Sequence, residues 1–340
     1  MQAAIVGAGN FGTAVANIVA SNGVDVHLCM RDEAQLADIL THGENRRYLP
    51  GHVLAERVHP TSDLPDALGR SDVVFVTVPS ASFREVTNEL DGLVRANTCV
   101  ISATKGIESG FRLMSQILEE ILPRARVGVI SGPNLAEEMA DGRYTGTVVA
   151  SHHQELRTTV QRILTSATFR VYSSNDVYGV ELGGALKNIY AIVCGMATEL
   201  QVGQNALAML VTRSLAEMGR FAVSLGANPF TFLGLSGVGD LFATCTSPYS
   251  RNFQLGLKLA RGTSLGDAMG ELGKLAEGVN TVRVVHDKSA ELGVYMPLAD
   301  ALHRLLYDGA DLGSIISSLM TSEQRVDVEF VAPTAWSHQE

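Results

Sequence analysis

Apolar positions fall into two regimes along the 340-residue chain. Up to about residue 177 they come as short runs bounded by turn residues. Beyond residue 181 they spread into long stretches with helical spacing, and no strand pattern stands out. In the first regime, Ala3-Ala4-Ile5-Val6 runs straight into Gly7-Ala8-Gly9-Asn10-Phe11-Gly12, and apolar Ala14, Val15, Ala16, Ile18 and Val19 follow. That order predicts a strand, a glycine turn and a helix. Further strands are predicted over 24–30, 72–78, 98–103, 126–130, 147–150 and 169–172. The run over 72–78 is continuously apolar and stops at Pro79, as expected for a strand covered on both faces. Helical patterns occupy 32–42 and 112–122, and a turn-rich segment with Pro50-Gly51 lies between 45 and 51. Strands alternating with helices at this spacing predict βαβ units and a parallel sheet. Long helices are expected over 182–199 and 204–225. The tail from Arg325, with Pro333 and Trp336, is polar and expected to fray.

The fold class is therefore α/β. A Rossmann-like dinucleotide-binding domain with a predominantly parallel sheet is expected over 1–178, followed by an all-α domain over 179–340. The spacing of Gly7, Gly9 and Gly12 fits G-x-G-x-x-G at the first strand-to-helix turn. The first glycine permits the sharp turn, the second admits a pyrophosphate, and the third lets the helix pack closely. The positive end of the helix then faces the phosphates. The second strand ends at Met30-Arg31, where such folds meet the adenosine ribose. An arginine there leans toward the 2′-phosphate of NADP; the alternative is a solvated loop cation.

Composition narrows the function. At 46 % apolar residues the chain can bury a large core, and its net charge of −10 argues against general nucleic-acid binding. Cys29, Cys99, Cys194 and Cys245 form no C-x-x-C pair and are expected to be reduced thiols. No signal-like start and no membrane-length apolar stretch is read, so a soluble cytoplasmic protein is expected. The nine histidines show no metal-binding spacing, and no metal site is expected.

Lys187 is the only charged residue between Glu181 and Glu199. A lysine on a buried helix is costly unless paired, and burial lowers its pKa toward the range useful for proton transfer. Gly183, Gly184 and Tyr190 share its helical face, and the two glycines are expected to leave room for a small substrate. The alternative is a lysine that snorkels to the surface. Lys105 follows a buried strand directly, at the strand ends where open α/β sheets bind ligands. Asn134 and Ala136 follow Gly132-Pro133 at another strand end, with Pro133 expected in the first turn of a helix. Asp240 lies between flanking glycines in Gly237-Val238-Gly239-Asp240-Leu241. Ser250-Arg251-Asn252 suits a phosphate, which arginine grips bidentately. It also reads as a capped helix start with Arg251 and Asn252 solvated.

Together these stretches resemble the bacterial type of NAD(P)-dependent glycerol-3-phosphate dehydrogenase. The resemblance rests on Gly7 to Ala14, Tyr48-Leu49-Pro50-Gly51, Thr104-Lys105-Gly106, Ser131-Gly132-Pro133, Ala185-Leu186-Lys187-Asn188, Gly239-Asp240-Leu241 with Thr244-Cys245, Ser250-Arg251-Asn252 and Glu277-Gly278-Val279. It implies a homodimer that reduces dihydroxyacetone phosphate to sn-glycerol 3-phosphate with NAD(P)H, feeding phospholipid synthesis. It implies Lys187 as the proton-transfer residue, with Asp240 orienting it. It implies substrate contacts at Lys105, Gly132, Asn134, Asp240, Ser250, Arg251 and Asn252. It implies cofactor contacts at Gly7, Gly9, Asn10, Phe11, Gly12, Arg31, Lys105, Ala136, Arg251, Leu275 and Glu277. The chain departs from the family pattern at Asn10-Phe11, Asn134-Leu135 and Leu275. A 3-hydroxyacid or ketopantoate-type dehydrogenase has a similar layout but takes a carboxylate substrate. A cofactor-sensing protein without activity is the other alternative.

Overall fold

The computed structural model describes residues 1–273 and 276–321. Eight strands form one sheet: β1 (Gln2–Val6), β2 (Asp25–Cys29), β3 (Val58–Thr61), β4 (Val73–Val76), β5 (Cys99–Ser102), β8 (Arg126–Ser131), β9 (Thr145–Ala150) and β10 (Phe169–Ser174). A small hairpin, β6 (Ile107–Glu108) with β7 (Arg112–Leu113), stands apart. The sheet order is β10-β9-β8-β5-β4-β1-β2-β3. All pairs are parallel except β8 with β9.

Helices α1 (Asn10–Ser21), α2 (Glu33–His42), α3 (Leu64–Arg70), α4 (Ser80–Leu90), α5 (Met114–Ile121), α6 (Ala136–Ala140) and α7 (Gln154–Leu164) belong to this half. The period of two along β1 divides its core. Ala3 and Ile5 pack with Val15 and Val19 of α1 and with Leu156 and Val160 of α7. Ala4 and Val6 pack on the opposite face with Phe83 of α4 and Ile117 of α5. Burial on both faces explains the continuously apolar strands.

Three features depart from the expected pattern. β3 was hidden because Val58–Thr61 mixes histidine and proline with apolar residues; as an edge strand it tolerates Pro60. The helix expected over 112–122 starts at Met114, because Arg112 and Leu113 pair with Glu108 and Ile107. The parallel pattern fails at β9, which runs antiparallel to β8. The link between them carries only the five-residue α6, whereas a parallel neighbour is usually reached through a longer crossover helix.

The second half is helical throughout its described residues. It holds α8 (Val177–Glu199), α9 (Gln204–Ser224), α10 (Asp240–Thr246), α11 (Arg251–Ala260), α12 (Leu265–Glu271), α13 (Glu277–Leu292), α14 (Pro297–Tyr307) and α15 (Leu312–Thr321). Leu182, Leu186, Ile189 and Ile192 of α8 are buried among Leu241, Phe253, Val282 and Val285 of surrounding helices. A helix apolar on all sides needs partners on all sides. Two glycines set the closest approach: a Cβ at Gly195 would lie 2.1 Å from the Phe253 carbonyl, and one at Gly256 would lie 2.1 Å from the Ile192 carbonyl.

Buried glutamates tie elements together. Glu181 on α8 accepts hydrogen bonds from the Ser115 N–H (3.0 Å) and hydroxyl at the start of α5, joining the two halves. Glu217 on α9 accepts from the N–H groups of Leu298 (2.7 Å) and Ala299 (3.3 Å) at the start of α14. Burial pushes both carboxyls up to about 7, and these hydrogen bonds oppose the shift. Among the described residues no helix is long and apolar enough to cross a membrane. The tail from Arg325 with Trp336, and Leu275, lie outside the described residues.

Gly256→Ala is expected to force α8 and α11 apart and cost about 1–3 kcal/mol, the usual range for overpacking. Denaturant unfolding of the variant checks this. An unchanged midpoint would mean that the two helices do not need this approach.

Candidate active site

A cavity of about 790 Å³ opens where the C-terminal ends of β1, β2, β4 and β5 meet the helical half. Gly7, Gly9, Asn10 and Phe11 form one wall, and Lys187, Arg251, Asn252 and Glu277 reach it from the other side. The glycine turn is built as its spacing predicts. Gly7 has φ +113°, which a side chain rarely adopts. A Cβ at Gly12 would lie 2.1 Å from the Gly7 carbonyl, so the start of α1 packs directly on the turn. A Cβ at Gly9 would meet nothing within 4 Å, so a bulky anion can approach the backbone there. These residues fit a dinucleotide. Two side chains not foreseen as site residues hold the turn by its Ala8 carbonyl. Gln35 (2.7 Å) and Asn45 (2.9 Å) both donate to the Ala8 carbonyl. Both hydrogen-bond partners are more than twenty residues away in sequence, so no local spacing marked them.

At the opposite end, one carboxylate serves two cations. Asp240 is 1 % exposed. Its Oδ2 accepts from Lys105 Nζ at 2.7 Å, and its Oδ1 accepts from Lys187 Nζ. Lys187 also donates to Thr244 Oγ1 (2.7 Å), and Lys105 to the Gly132 carbonyl (2.8 Å). Lys187 is 6 % exposed and reaches the cavity wall, so it is not a snorkelling lysine. Its pKa is pushed down from 10.5 to about 7. Burial is the largest cause; Asp240 opposes it, and the charge on Lys105 adds to it.

The remaining predicted positions divide. Arg251 lines the cavity, while Ser250 caps α11 by accepting from the Phe253 N–H at 3.2 Å. The reading of Asn252 as solvated is corrected: it is buried, donates to Asn188 Oδ1 (3.0 Å) and accepts from the Gly278 N–H (3.0 Å). Asn188 in turn donates to the Lys105 carbonyl at 2.9 Å. It and Thr244 are supports that the motif contained but spacing did not single out. Glu277 heads α13 and accepts from the Ser80 N–H (3.0 Å) and hydroxyl at the start of α4, so these bonds tie the two halves together beside the cavity. Ser80 was not foreseen. Arg31 lines the cavity and donates to Glu85 (3.0 Å) and Glu89 (2.7 Å). Ala136 lines it at the start of α6.

Three expectations need correction. The space beside Gly183 and Gly184 is filled by protein: added Cβ atoms would lie 2.3 Å from the Ser236 carbonyl and 2.4 Å from Ser131 Oγ. Tyr190 turns away from Lys187 and donates to Glu217 at 3.1 Å. Pro133 precedes α6 instead of opening it, because α6 begins at Ala136. Asn134 is held by one donor and one acceptor of its amide: it donates to the Gly146 carbonyl (3.0 Å) and accepts from Thr147 Oγ1 (2.8 Å). It still lines the cavity. Among the described residues no group of three His, Cys, Asp or Glu side chains is placed to hold a metal ion.

Residues 2–157 match the model of the NAD-dependent glycerol-3-phosphate dehydrogenase N-terminus, and residues 176–317 match that of its C-terminus. The chain is 54 % identical over 330 residues to glycerol-3-phosphate dehydrogenase (NAD(P)+) of Alcanivorax borkumensis, covering 97 % of this chain and 96 % of that one. It is 52 % identical over 334 residues to the enzyme of the same name from Azotobacter vinelandii, covering 98 % of each. Among solved structures, the glycerol-3-phosphate dehydrogenase of Coxiella burnetii superposes with a TM-score of 0.91 at 35 % identity, covering 94 % of this chain and 99 % of that one.

The depressed pKa of Lys187 has a consequence for stability. Folded Lys187 loses its proton near 7, whereas the unfolded chain keeps it up to about 10.5. As pH falls from about 10 to 7 the unfolded state therefore binds the extra proton, and stability declines. Denaturant unfolding at the two pH values should show a larger decline for the native chain than for Lys187→Met. Equal declines would mean that residue 187 titrates alike in both states.

Proposed function

The chain belongs to the NAD-dependent glycerol-3-phosphate dehydrogenase family, and on that premise we propose that it reduces dihydroxyacetone phosphate to sn-glycerol 3-phosphate. It is an oxidoreductase that uses NAD or NADP. The observation that carries the proposed chemistry is a buried ammonium, Lys187, on the wall of the cavity that begins at the glycine turn.

The nicotinamide supplies the hydride when it is bound. The turn at Gly7, Gly9 and Gly12 holds the pyrophosphate, and Asn10, Phe11, Ala136 and Glu277 complete that side. Lys187 donates a hydrogen bond to the ketone oxygen. As negative charge grows there, the ammonium stabilises it and then releases its proton to the new alkoxide. In oxidation, neutral Lys187 takes the hydroxyl proton. Asp240 lies beneath both ammonium groups and fixes where each points. Lys105 adds positive charge beside the developing oxyanion, and the same residue bonds Gly132. Arg251 grips the substrate phosphate, with Ser250 and Asn252 ordering the start of α11 around it. Asn134 borders the substrate, with its amide already engaged.

We place the domain boundary at 178/179, in the first turn of α8. The chain is read as a cytoplasmic homodimer whose product enters glycerophospholipid synthesis. Its net charge of −10 is consistent with the absence of a nucleic-acid partner. Light scattering would give a dimer mass; a monomer mass removes that part of the reading.

Lys187→Ala is expected to lower kcat by roughly two to four orders of magnitude, the range of a general acid–base group, with NADH binding retained. Normal turnover would exclude Lys187 from proton transfer. Arg251→Ala should raise KM for dihydroxyacetone phosphate strongly, while activity on unphosphorylated dihydroxyacetone stays as it was. Equal effects on both ketones would remove the phosphate role. For the native enzyme, kcat/KM for reduction should fall above about pH 7, and that for oxidation should fall below it. Profiles without an inflection near neutrality would contradict Lys187 as the titrating group.

A further inference from the structure

Arg31 stands one residue beyond Met30, which follows the last residue of β2. In dinucleotide folds this strand end addresses the adenosine ribose, where an acidic residue takes a 2′-hydroxyl and an arginine takes a 2′-phosphate. Met30 is buried and carries no charge. The carboxylate of Asp32 is already in use. It caps α2 through the N–H groups of Ala34 (3.0 Å) and Gln35 (3.1 Å) and accepts from Arg47 at 2.7 Å.

The guanidinium of Arg31 is also in use. One terminal nitrogen meets Glu85 at 3.0 Å and the other meets Glu89 at 2.7 Å. Both glutamates come from α4, four residues apart, so they present on one face of the helix. Arg31 and Glu89 both line the cavity, as do Asp32 and Arg47. Two cations and two carboxylates thus line this end of the site, and the Glu85 carboxylate pairs with Arg31 beside it. A 2′-phosphate brings up to two more negative charges and must compete with carboxylates already seated on the arginine. These ion pairs stand in water: the side chains are 55 % exposed for Arg31, 68 % for Glu85 and 46 % for Glu89. Each is therefore weak and exchangeable.

We propose that Glu85 and Glu89 form a releasable clamp on Arg31 that sets the balance between NAD and NADP at this site. With the clamp closed, the strand end accepts a ribose carrying a free 2′-hydroxyl. NADP binds by exchanging carboxylate for 2′-phosphate on the same guanidinium. One charged hydrogen bond replaces another, so the net preference is small, and a single site serves both cofactors. Glu85 and Glu89 are specificity determinants in this scheme although neither belongs to the glycine motif. The inference rests on the reading of this cavity as the dinucleotide site.

Equilibrium binding of NADPH and NADH, followed by reduced-nicotinamide fluorescence, tests it without turnover. In E85Q/E89Q the ratio of NADPH to NADH affinity should rise by about fivefold or more, the scale of two weak exposed pairs. Adding R31A to that variant should abolish the gain. An unchanged or lower ratio in E85Q/E89Q overturns the clamp, and so does a gain that survives R31A. Failure of the native chain to bind either nucleotide would instead overturn the cavity assignment itself.

Discussion

The site depends on one buried carboxylate. Asp240 is enclosed in the helical half and pairs with ammonium groups from both halves of the molecule, Lys105 from the loop after β5 and Lys187 from α8. Without it, two like charges would share a largely dry volume at high cost. With it, each ammonium keeps donors in a fixed direction, and burial still holds Lys187 near neutrality. The same interaction that joins the halves therefore also tunes the group proposed for proton transfer.

Close backbone contact makes this geometry reachable. α8 can carry Lys187 to the cavity only because glycines remove side chains where neighbours cross it. Gly183 lies against the Ser236 carbonyl, Gly184 against Ser131, and Gly195 against Phe253 in α11. On the other wall Gly12 lies against the Gly7 carbonyl. Glycine is used in both places for proximity: one set seats α8 among its neighbours, and Gly12 seats α1 on the turn.

Much of the site was legible in the residues. The glycine turn, the isolated Lys187 and the Ser250-Arg251-Asn252 start of α11 all reach one cavity. Its supports were not legible. Gln35, Asn45, Ser80 and Asn188 act through hydrogen bonds to segments distant in sequence, and nothing local distinguishes them from surface polar residues. Side-chain direction was equally hidden. Tyr190 shares helical spacing with Lys187 yet serves Glu217, and the room beside Gly183 and Gly184 went to protein and not to substrate.

By itself the sequence determined the order of strands and helices, the glycine turn and the change to an all-helical half, because those follow from periodicity and backbone freedom within a few residues. Only tertiary structure decided that β9 reverses, that Val58–Thr61 becomes an edge strand, and that Lys105, Lys187 and Asp240 converge. Those outcomes depend on what packs where at separations from 17 residues, as for Ser131 with Val148, to 135 residues, as for Lys105 with Asp240, and a local pattern carries no record of its distant partner.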